Sequence, residues 1–547
     1  MRHFFIAFVV LVVVLSVIVG YAAPFLLWAW VLLGPIVLLG LYDYFQHEHS
    51  ILRNFPVLGH FRYLFELIRP EIYQYFVESD TEGVPFDRDQ RSLVYQRAKD
   101  VRDTVPFGTK EDLYKAGYEW INHSMAPVSH HPTDMRVKIG GPDCKHPYSA
   151  SLLNISAMSY GSLSANACVA LSSGAKIGGF AHNTGEGGVS PYHLQGGGDL
   201  IWQIGTGYFG CRATDGGFDP EKYKVTVSHD QIKMVELKLS QGAKPGHGGI
   251  LPAAKVTPEI AEIRGVPMGQ DVNSPPGHKA FSTPIELLHF VKQLRDLSGG
   301  KPIGFKLCVG KRREFLAVCK AMVETGICPD YIAVDGGEGG TGAAPLEFSN
   351  HIGAPLVEGL IFVHNALVGY GLRKNIRVIA SGKVASGFAI LKRLALGADA
   401  CYSARGMMLA LGCIQALKCN SNECPVGVAT QKKHLMAGLV PSDKRARVAS
   451  FHSETIESLC EMLGAIGLSS PEDLRPWHIM HRISPTETKH YGELYDFLDE
   501  GELLNEPLPP EYKRACNAAS AETFAHVVNG ETSVSYTHLT LPTICSV

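Results

Sequence analysis

Hydrophobic residues are distributed along the chain in two main regimes. Residues 4–42 contain no Asp, Glu, Lys or Arg and are interrupted only at Gly20, Tyr21 and Pro24. That is about twice the ~20 residues one helix needs to cross a bilayer, so two transmembrane helices are predicted over 4–19 and 25–41, forming a hairpin. A cleaved leader would carry one shorter apolar region, so a retained hairpin is the expectation. Arg2 precedes the hairpin and Arg53, Arg62 and Arg69 follow it, which puts both flanks on the cytoplasmic side and predicts a cytoplasmic body.

From residue 151 the pattern changes to short apolar runs separated by helical stretches. Eight strands are predicted, over 152–158, 180–184, 235–239, 269–273, 303–309, 331–334, 377–380 and 400–403. Most end in polar or Gly-rich turns. Strand, turn and helix repeated eight times predict an α/β fold, a (β/α)8 TIM barrel, with chemistry collected at the carboxyl ends of the strands. An open doubly wound sheet is the competing arrangement. Between the second and third predicted strands, residues 186–231 are rich in Gly and His and are read as an inserted lid or substrate wall. The organisation expected is a membrane hairpin (1–42), an extension leading into the barrel (43–150), the barrel with its Cys cluster (151–431) and a helical extension (432–532). Residues 533–547 form a tail read as non-native, because VSYTHL is what one frame of a transposase mosaic-end adaptor encodes.

Composition narrows the function. The 547 residues are 46% hydrophobic and 19% charged, and 50 Lys plus Arg against 53 Asp plus Glu give a net charge of −3. A globular enzyme body is expected, and no nucleic-acid partner. The 13 cysteines stand mostly alone in apolar surroundings. Cys413, Cys419 and Cys424 differ, forming a C-x5-C-x4-C run in CIQALKCNSNECPVG. Three thiolates at such spacing suit an iron–sulfur cluster or another soft metal. The spacing alone leaves zinc open, although the usual C-x2-C pairs are missing.

A phosphate site is predicted after the seventh and eighth strands, where Ser381-Gly382-Lys383 and Ser403-Ala404-Arg405 fall at turns that expose backbone N–H groups. A planar ring attached to that phosphate would cover the barrel mouth near Ala157, Met158 and Lys306, and a lysine beside the N1 and O2 edge of a flavin favours its anionic reduced form. Gly337 to Gly342 match G-x-G-x-x-G, but Glu358 falls in a helical pattern and Pro345 follows closely, so no dinucleotide site is expected.

The strings ISAMSYGSLS, NTGEGG, SQGAKPGHGGILPAAKV, DGGEGGTGAAP and CIQALKCNSNECPVGVATQ, in order over 151–431, resemble the FMN-binding synthase domain of glutamate synthase. RNFPVLGHFRYLFELIRPE, after the hairpin, is similar to shorter membrane-anchored members of that family. The resemblance implies a (β/α)8 barrel carrying FMN and a 3Fe-4S cluster on Cys413, Cys419 and Cys424, although three cysteines and another ligand also suit a four-iron cluster. It implies that Ser156, Ala157, Met158 and Ser159 line the flavin with Lys306, Ser381, Gly382 and Lys383. It places Glu186, Lys238, Lys244 and Arg264 around 2-oxoglutarate or 2-iminoglutarate, with Glu186 and Lys244 as catalytic residues.

The implied reaction is hydride transfer from flavin N5 to 2-iminoglutarate, giving glutamate, with electrons from a separate donor such as ferredoxin or a reductase. Neither a glutaminase module nor an NAD module is recognised, so ammonia would come from solution or another subunit. Two positions depart from the family motif: Ile250 stands where it has Gln, and His247 where it has an acidic residue. Loss of an amide that bonds a carboxylate alters substrate choice. The alternative is therefore a membrane-anchored flavin and iron–sulfur electron-transfer protein without glutamate synthase activity. A hydroxy-acid oxidase barrel would lack the Cys run.

Overall fold

The computed structural model describes residues 2–101 and 104–525, with two compact units, Met1–Arg88 and Asp89–Val547. The non-native tail read over 533–547 lies outside the described residues.

In the first unit, Arg2–Ala22 and Trp30–Phe45 are helices joined by a 3-10 turn, Pro24–Ala29. Two stretches, His3–Ala22 and Pro24–Phe45, are long and apolar enough to cross a membrane. The helices pair as a hairpin: Trp30 Nε1 donates to Ser16 Oγ at 2.7 Å, and a Cβ at Gly40 would lie 2.0 Å from the Phe5 ring.

The second unit is built on a closed barrel of eight parallel strands in sequential order. These are β1 (Leu153–Ile155), β2 (Ala181–Asn183), β3 (Asp199–Ile204), β4 (Ile232–Lys238), β5 (Ile303–Leu307), β6 (Tyr331–Asp335), β7 (Arg377–Ser381) and β8 (Ala400–Ser403). Their apolar runs are continuous because a parallel strand is covered on both faces, by the barrel interior and the outer helices. The first outer helix, Ala165–Gly178, shows the local logic: the Ser164 side chain accepts from Ala167 N, and Gly179 at φ 67 ends the helix in the left-handed region. The long helix Pro441–Ala465 packs across it, so closely that a Cβ at Gly174 would lie 2.7 Å from Val448.

Two sequence expectations are corrected. Residues 186–231 are no insertion: DLIWQI is the third barrel strand, with the helices Pro191–Gly196 and Pro220–Val227 on either side. The run at 269–273 is outside the barrel, since only Val272–Asn273 is extended and it pairs with Ile250–Leu251 in a two-stranded ribbon. The true excursion lies between β4 and β5 and carries that ribbon and the helix Pro258–Arg264. Glu358 sits in the first turn of the helix Leu356–Gly369, as its helical pattern predicted.

Among the described residues three histidines are buried: His182, His193 and His452. Burial holds His182 well below its usual value, His193 at about 4 and His452 at about 3. Each is neutral in the native state, whereas the unfolded chain takes up a proton near pH 6.5. Stability is therefore complete above that pH and is lost as pH falls toward the native value, by about 1.4 kcal/mol per pH unit per histidine. The thermal unfolding midpoint is expected to drop steeply between pH 6.5 and pH 4.5, and a flat profile would contradict this.

Candidate active site

The strand ends bring most of the predicted residues to one face. Ser156, Ala157, Met158 and Ser159 leave β1; Ser156 N donates to Ser403 O at 3.0 Å and Met158 N to Asn183 O at 3.2 Å, which fixes this loop between β8 and β2. Gly185, at φ 66, lets the β2 loop pass beneath it, for a Cβ there would lie 2.7 Å from Ser159 N. Lys306, next to last in β5, is buried, with Nζ 3.4 Å from Asp335 Oδ2 at the end of β6. Ser381 closes β7, Gly382 and Lys383 follow it, and Lys383 adopts φ 48. A non-glycine residue in the left-handed region stores strain, which is characteristic of functional turns.

Arg405, expected beside the phosphate, donates from Nη2 to Glu338 O at 2.6 Å, and Ser403 Oγ donates to Val384 O at 2.6 Å.

Beside this mouth lies a cluster of charge. Glu186 Oε1 is 2.8 Å from Lys238 Nζ, with side chains 20% and 10% exposed. Burial raises the Glu186 carboxyl, but the charges of Lys238, Lys244 and Arg264 outweigh it and hold the group below its usual range. Lys244 Nζ donates to Ala343 O at 2.6 Å, and burial lowers this lysine to about 8, opposed by Glu186. Arg264 donates from Nη2 to Tyr160 O at 3.0 Å and stacks 5.2 Å over the Phe209 ring. Its Nε is buried without a hydrogen-bond partner. Burial lowers this guanidinium to about 10, again opposed by Glu186.

Glycines make room for the cluster, since a Cβ at Gly249 would lie 2.5 Å from Glu186 Oε1 and one at Gly187 2.8 Å from Arg264 Nη2. The departures from the family motif border it. Ile250 follows Gly249 and opens the ribbon, and His247 has its Nδ1 2.9 Å from Gly248 O and its ring edge-on to Phe348.

Sequence reasoning missed the layer beneath. Glu236 on β4 is fully buried and accepts from Asn183 Nδ2 (2.8 Å), Gln203 Nε2 (2.7 Å) and Tyr402 OH (3.1 Å). Burial raises its carboxyl, opposed by Lys306 and these donors. A polar residue inside each apolar strand was the available signal.

The Cys triplet occupies the loop after the helix Arg405–Ala410. Cys424 is buried, and Cys413 and Cys419 are half-buried. Burial pushes the Cys413 thiol up to about 11; the Gln415 N–H opposes this, and Cys419 and Cys424 reinforce it. Lys255, also missed, lies close enough to Cys419 and Cys424 to feel both thiols, and its Nζ donates to Ser162 O at 3.0 Å. Among the described residues no three His, Cys, Asp or Glu converge as ligands of one ion. A cluster gives each cysteine a separate iron, so it tolerates wider spacing than the ~2.3 Å bonds of a single zinc.

A family model described as the conserved region in glutamate synthase matches residues 136–469. The chain is 39% identical over 516 residues to the glutamate synthase large subunit-like protein YerD of Bacillus subtilis (strain 168), covering 86% of this chain and 96% of that one. It is 36% identical over 322 residues to the archaeal glutamate synthase (NADPH) of Methanocaldococcus jannaschii, covering 59% of this chain and 60% of that one. It is 33% identical over 316 residues to the ferredoxin-dependent glutamate synthase of Antithamnion sp., covering 57% of this chain and 19% of that one. The chain belongs to the glutamate synthase family and is a glutamate synthase-like oxidoreductase. It spans nearly the whole of the Bacillus relative but about three-fifths of the archaeal one.

Proposed function

We propose that the chain reduces 2-iminoglutarate, formed from 2-oxoglutarate and ammonia, to glutamate at the barrel mouth, with FMN and an iron–sulfur cluster as resident redox groups. The charge balance of the pocket carries this reading. Three cations, Lys238, Lys244 and Arg264, face one carboxylate, Glu186, which leaves a surplus of two positive charges. A dicarboxylate brings the two negative charges that complete it, and the unpartnered Arg264 Nε is a donor with nothing else to bond.

Ser156, Ala157, Met158, Ser159, Lys306, Ser381, Gly382 and Lys383, with the backbone at Ser403 and Arg405, would hold FMN; Cys413, Cys419 and Cys424 would hold the cluster. The close-passing glycine loops and the strained Lys383 turn fit a flat ring with one phosphate. When bound, FMN supplies a two-electron reductant and the cluster one-electron carriage. The protein supplies the rest. Lys244 and Arg264 bind the substrate carboxylates and fix its orientation. Lys238 is placed to give a proton to the imine nitrogen, and its 2.8 Å ion pair with Glu186 positions it. A separate donor, such as ferredoxin or a reductase, would deliver the electrons, and the hairpin would anchor a cytoplasmic body to the membrane.

Purified full-length protein is expected to be coloured, to contain iron and labile sulfide, and to form glutamate from 2-oxoglutarate, ammonium and reduced ferredoxin. Cofactor-loaded protein that forms no glutamate would indicate the electron-transfer alternative that Ile250 favours, and colourless anaerobic preparations would overturn both.

The pH profile is a sharper check. Lys244 is charged below about pH 8 and loses its proton above it. KM for 2-oxoglutarate is therefore expected to be flat below pH 7 and to climb above pH 8 by up to about tenfold per pH unit. In Lys244→Met the KM should be high and lack this rise.

A further inference from the structure

Outside the barrel, the surface least explained by the proposed chemistry is the helix Gly59–Ile72 in the first unit. Phe61, Leu64, Phe65, Ile68 and Ile72 recur at spacings of three and four, which places them in one stripe. All five are exposed, between 36% and 60%. Arg62, Glu66 and Arg69 lie together along one flank of that stripe and are exposed as well. Tyr73, Tyr75 and Phe76 extend the apolar surface past the helix end, with Phe76 85% exposed. A soluble domain rarely leaves such a continuous apolar stripe in water.

The helix is fixed to the end of the hairpin. Asp43, fully buried near the end of the second apolar helix, accepts from Val57 N at 2.9 Å and contacts His60 Nε2 at 3.0 Å. Gly59 backs onto Leu52 so tightly that a Cβ would lie 2.9 Å from Leu52 Cδ2. The stripe therefore begins where the hairpin leaves its apolar surroundings, and it is continuous with them. Over residues 44–72, beyond the buried Asp43, Arg53, Arg62 and Arg69 balance Glu48, Glu66 and Glu71, so attraction to charged headgroups is not the driving force. Apolar burial is.

We propose that Gly59–Ile72 is an interfacial helix lying in the plane of a lipid bilayer. Its Phe61, Phe65 and Ile68 side sinks to the boundary between headgroups and acyl chains, and Arg62, Glu66 and Arg69 face water. The proposal rests on the reading of the hairpin as membrane-crossing and adds a lateral attachment that the hairpin alone does not supply. The Asp43 clamp fixes the angle at which the chain leaves the second span.

The test uses the full chain in vesicles of phosphatidylethanolamine and phosphatidylglycerol. A photoreactive p-benzoylphenylalanine replaces Phe61 or Phe65 on the stripe, Arg62 or Glu66 on the charged flank, or Leu11 in the first span, and retained flavin absorbance verifies each fold. After illumination, mass spectrometry is expected to find lipid adducts at 61 and 65 several-fold above those at 62 and 66, with strong adducts at 11. Adducts at 11 but none at 61 and 65, or crosslinks from 61 and 65 to the chain's own barrel, would overturn the interfacial helix and leave the spans intact. Equal labelling at all four helix positions would overturn the amphipathic orientation. No adduct even at 11 would overturn the membrane reading itself.

Discussion

Replacing Arg264 with leucine is expected to raise KM for 2-oxoglutarate by about 30- to 1,000-fold, with a smaller fall in kcat. This corresponds to the ~2–4 kcal/mol lost when one partner of a buried charge pair is removed. Arg264 closes the helix Pro258–Arg264 and is 6% exposed. One nitrogen is committed to Tyr160 O, while Nε has no protein partner. Leucine keeps part of the volume over Phe209 but cuts the positive surplus of the pocket from two to one, so a dianion would meet an incomplete countercharge. Arg264→Lys should fall between the two, because it restores charge without the planar fork that grips a carboxylate. Steady-state kinetics on flavin-loaded protein separate KM from kcat. An unchanged KM in Arg264→Leu would remove the dicarboxylate reading and leave Arg264 as a brace for the loop after β1.

The barrel was legible because its parallel strands are apolar on both faces and its turns are chemically distinctive. The failure at β3 has a physical cause. DLIWQI is as apolar as its neighbours, with all but Asp199 buried, but it is flanked by GGG and GTG, and that glycine density reads as loop. The glycines serve another purpose, since a Cβ at Gly205 would lie 2.8 Å from Glu186 Cβ. The run ending in VN imitated a strand, yet Asn273 is exposed and pairs only with the ribbon at 250–251.

The charged cluster was expected from the family resemblance: Glu186 and Lys244 stand inside its motifs, Lys238 and Arg264 outside them, and only the fold brings the four together. Glu236 and its three donors were not, because they come from four strands and no local spacing joins them. Nor did the sequence reveal that Arg405 would turn back to Glu338, a preference set by where the β6 and β8 loops meet.

Changing any one of Cys413, Cys419 and Cys424 to serine is expected to abolish iron incorporation and reduce donor-driven turnover to background, while flavin remains bound. The loop carrying them has three non-glycine residues in the left-handed region: Gln415 at φ 57, Leu417 at φ 55 and Asn422 at φ 64. Such a conformation persists only where its surroundings impose it. Asn422 supplies part of that restraint: its Nδ2 donates to Ala254 O at 2.8 Å, and its Oδ1 accepts from Gln431 N at 2.7 Å. Gln431 Nε2 in turn donates to Leu163 O at 2.8 Å and Gly161 O at 3.1 Å, and Ser164 Oγ donates to Gly427 O at 2.7 Å.

The cysteine loop is thus bonded directly to the segment that follows Ser156–Ser159, and these bonds do not pass through sulfur. Serine removes a soft ligand for iron but leaves every one of them in place, so the flavin residues should keep their positions. Iron and sulfide analysis, the visible spectrum and turnover with reduced ferredoxin distinguish the outcomes. Loss of flavin together with iron would mean that the cluster holds the β1 loop in shape. Full iron content in any single variant would remove that cysteine from the ligand set.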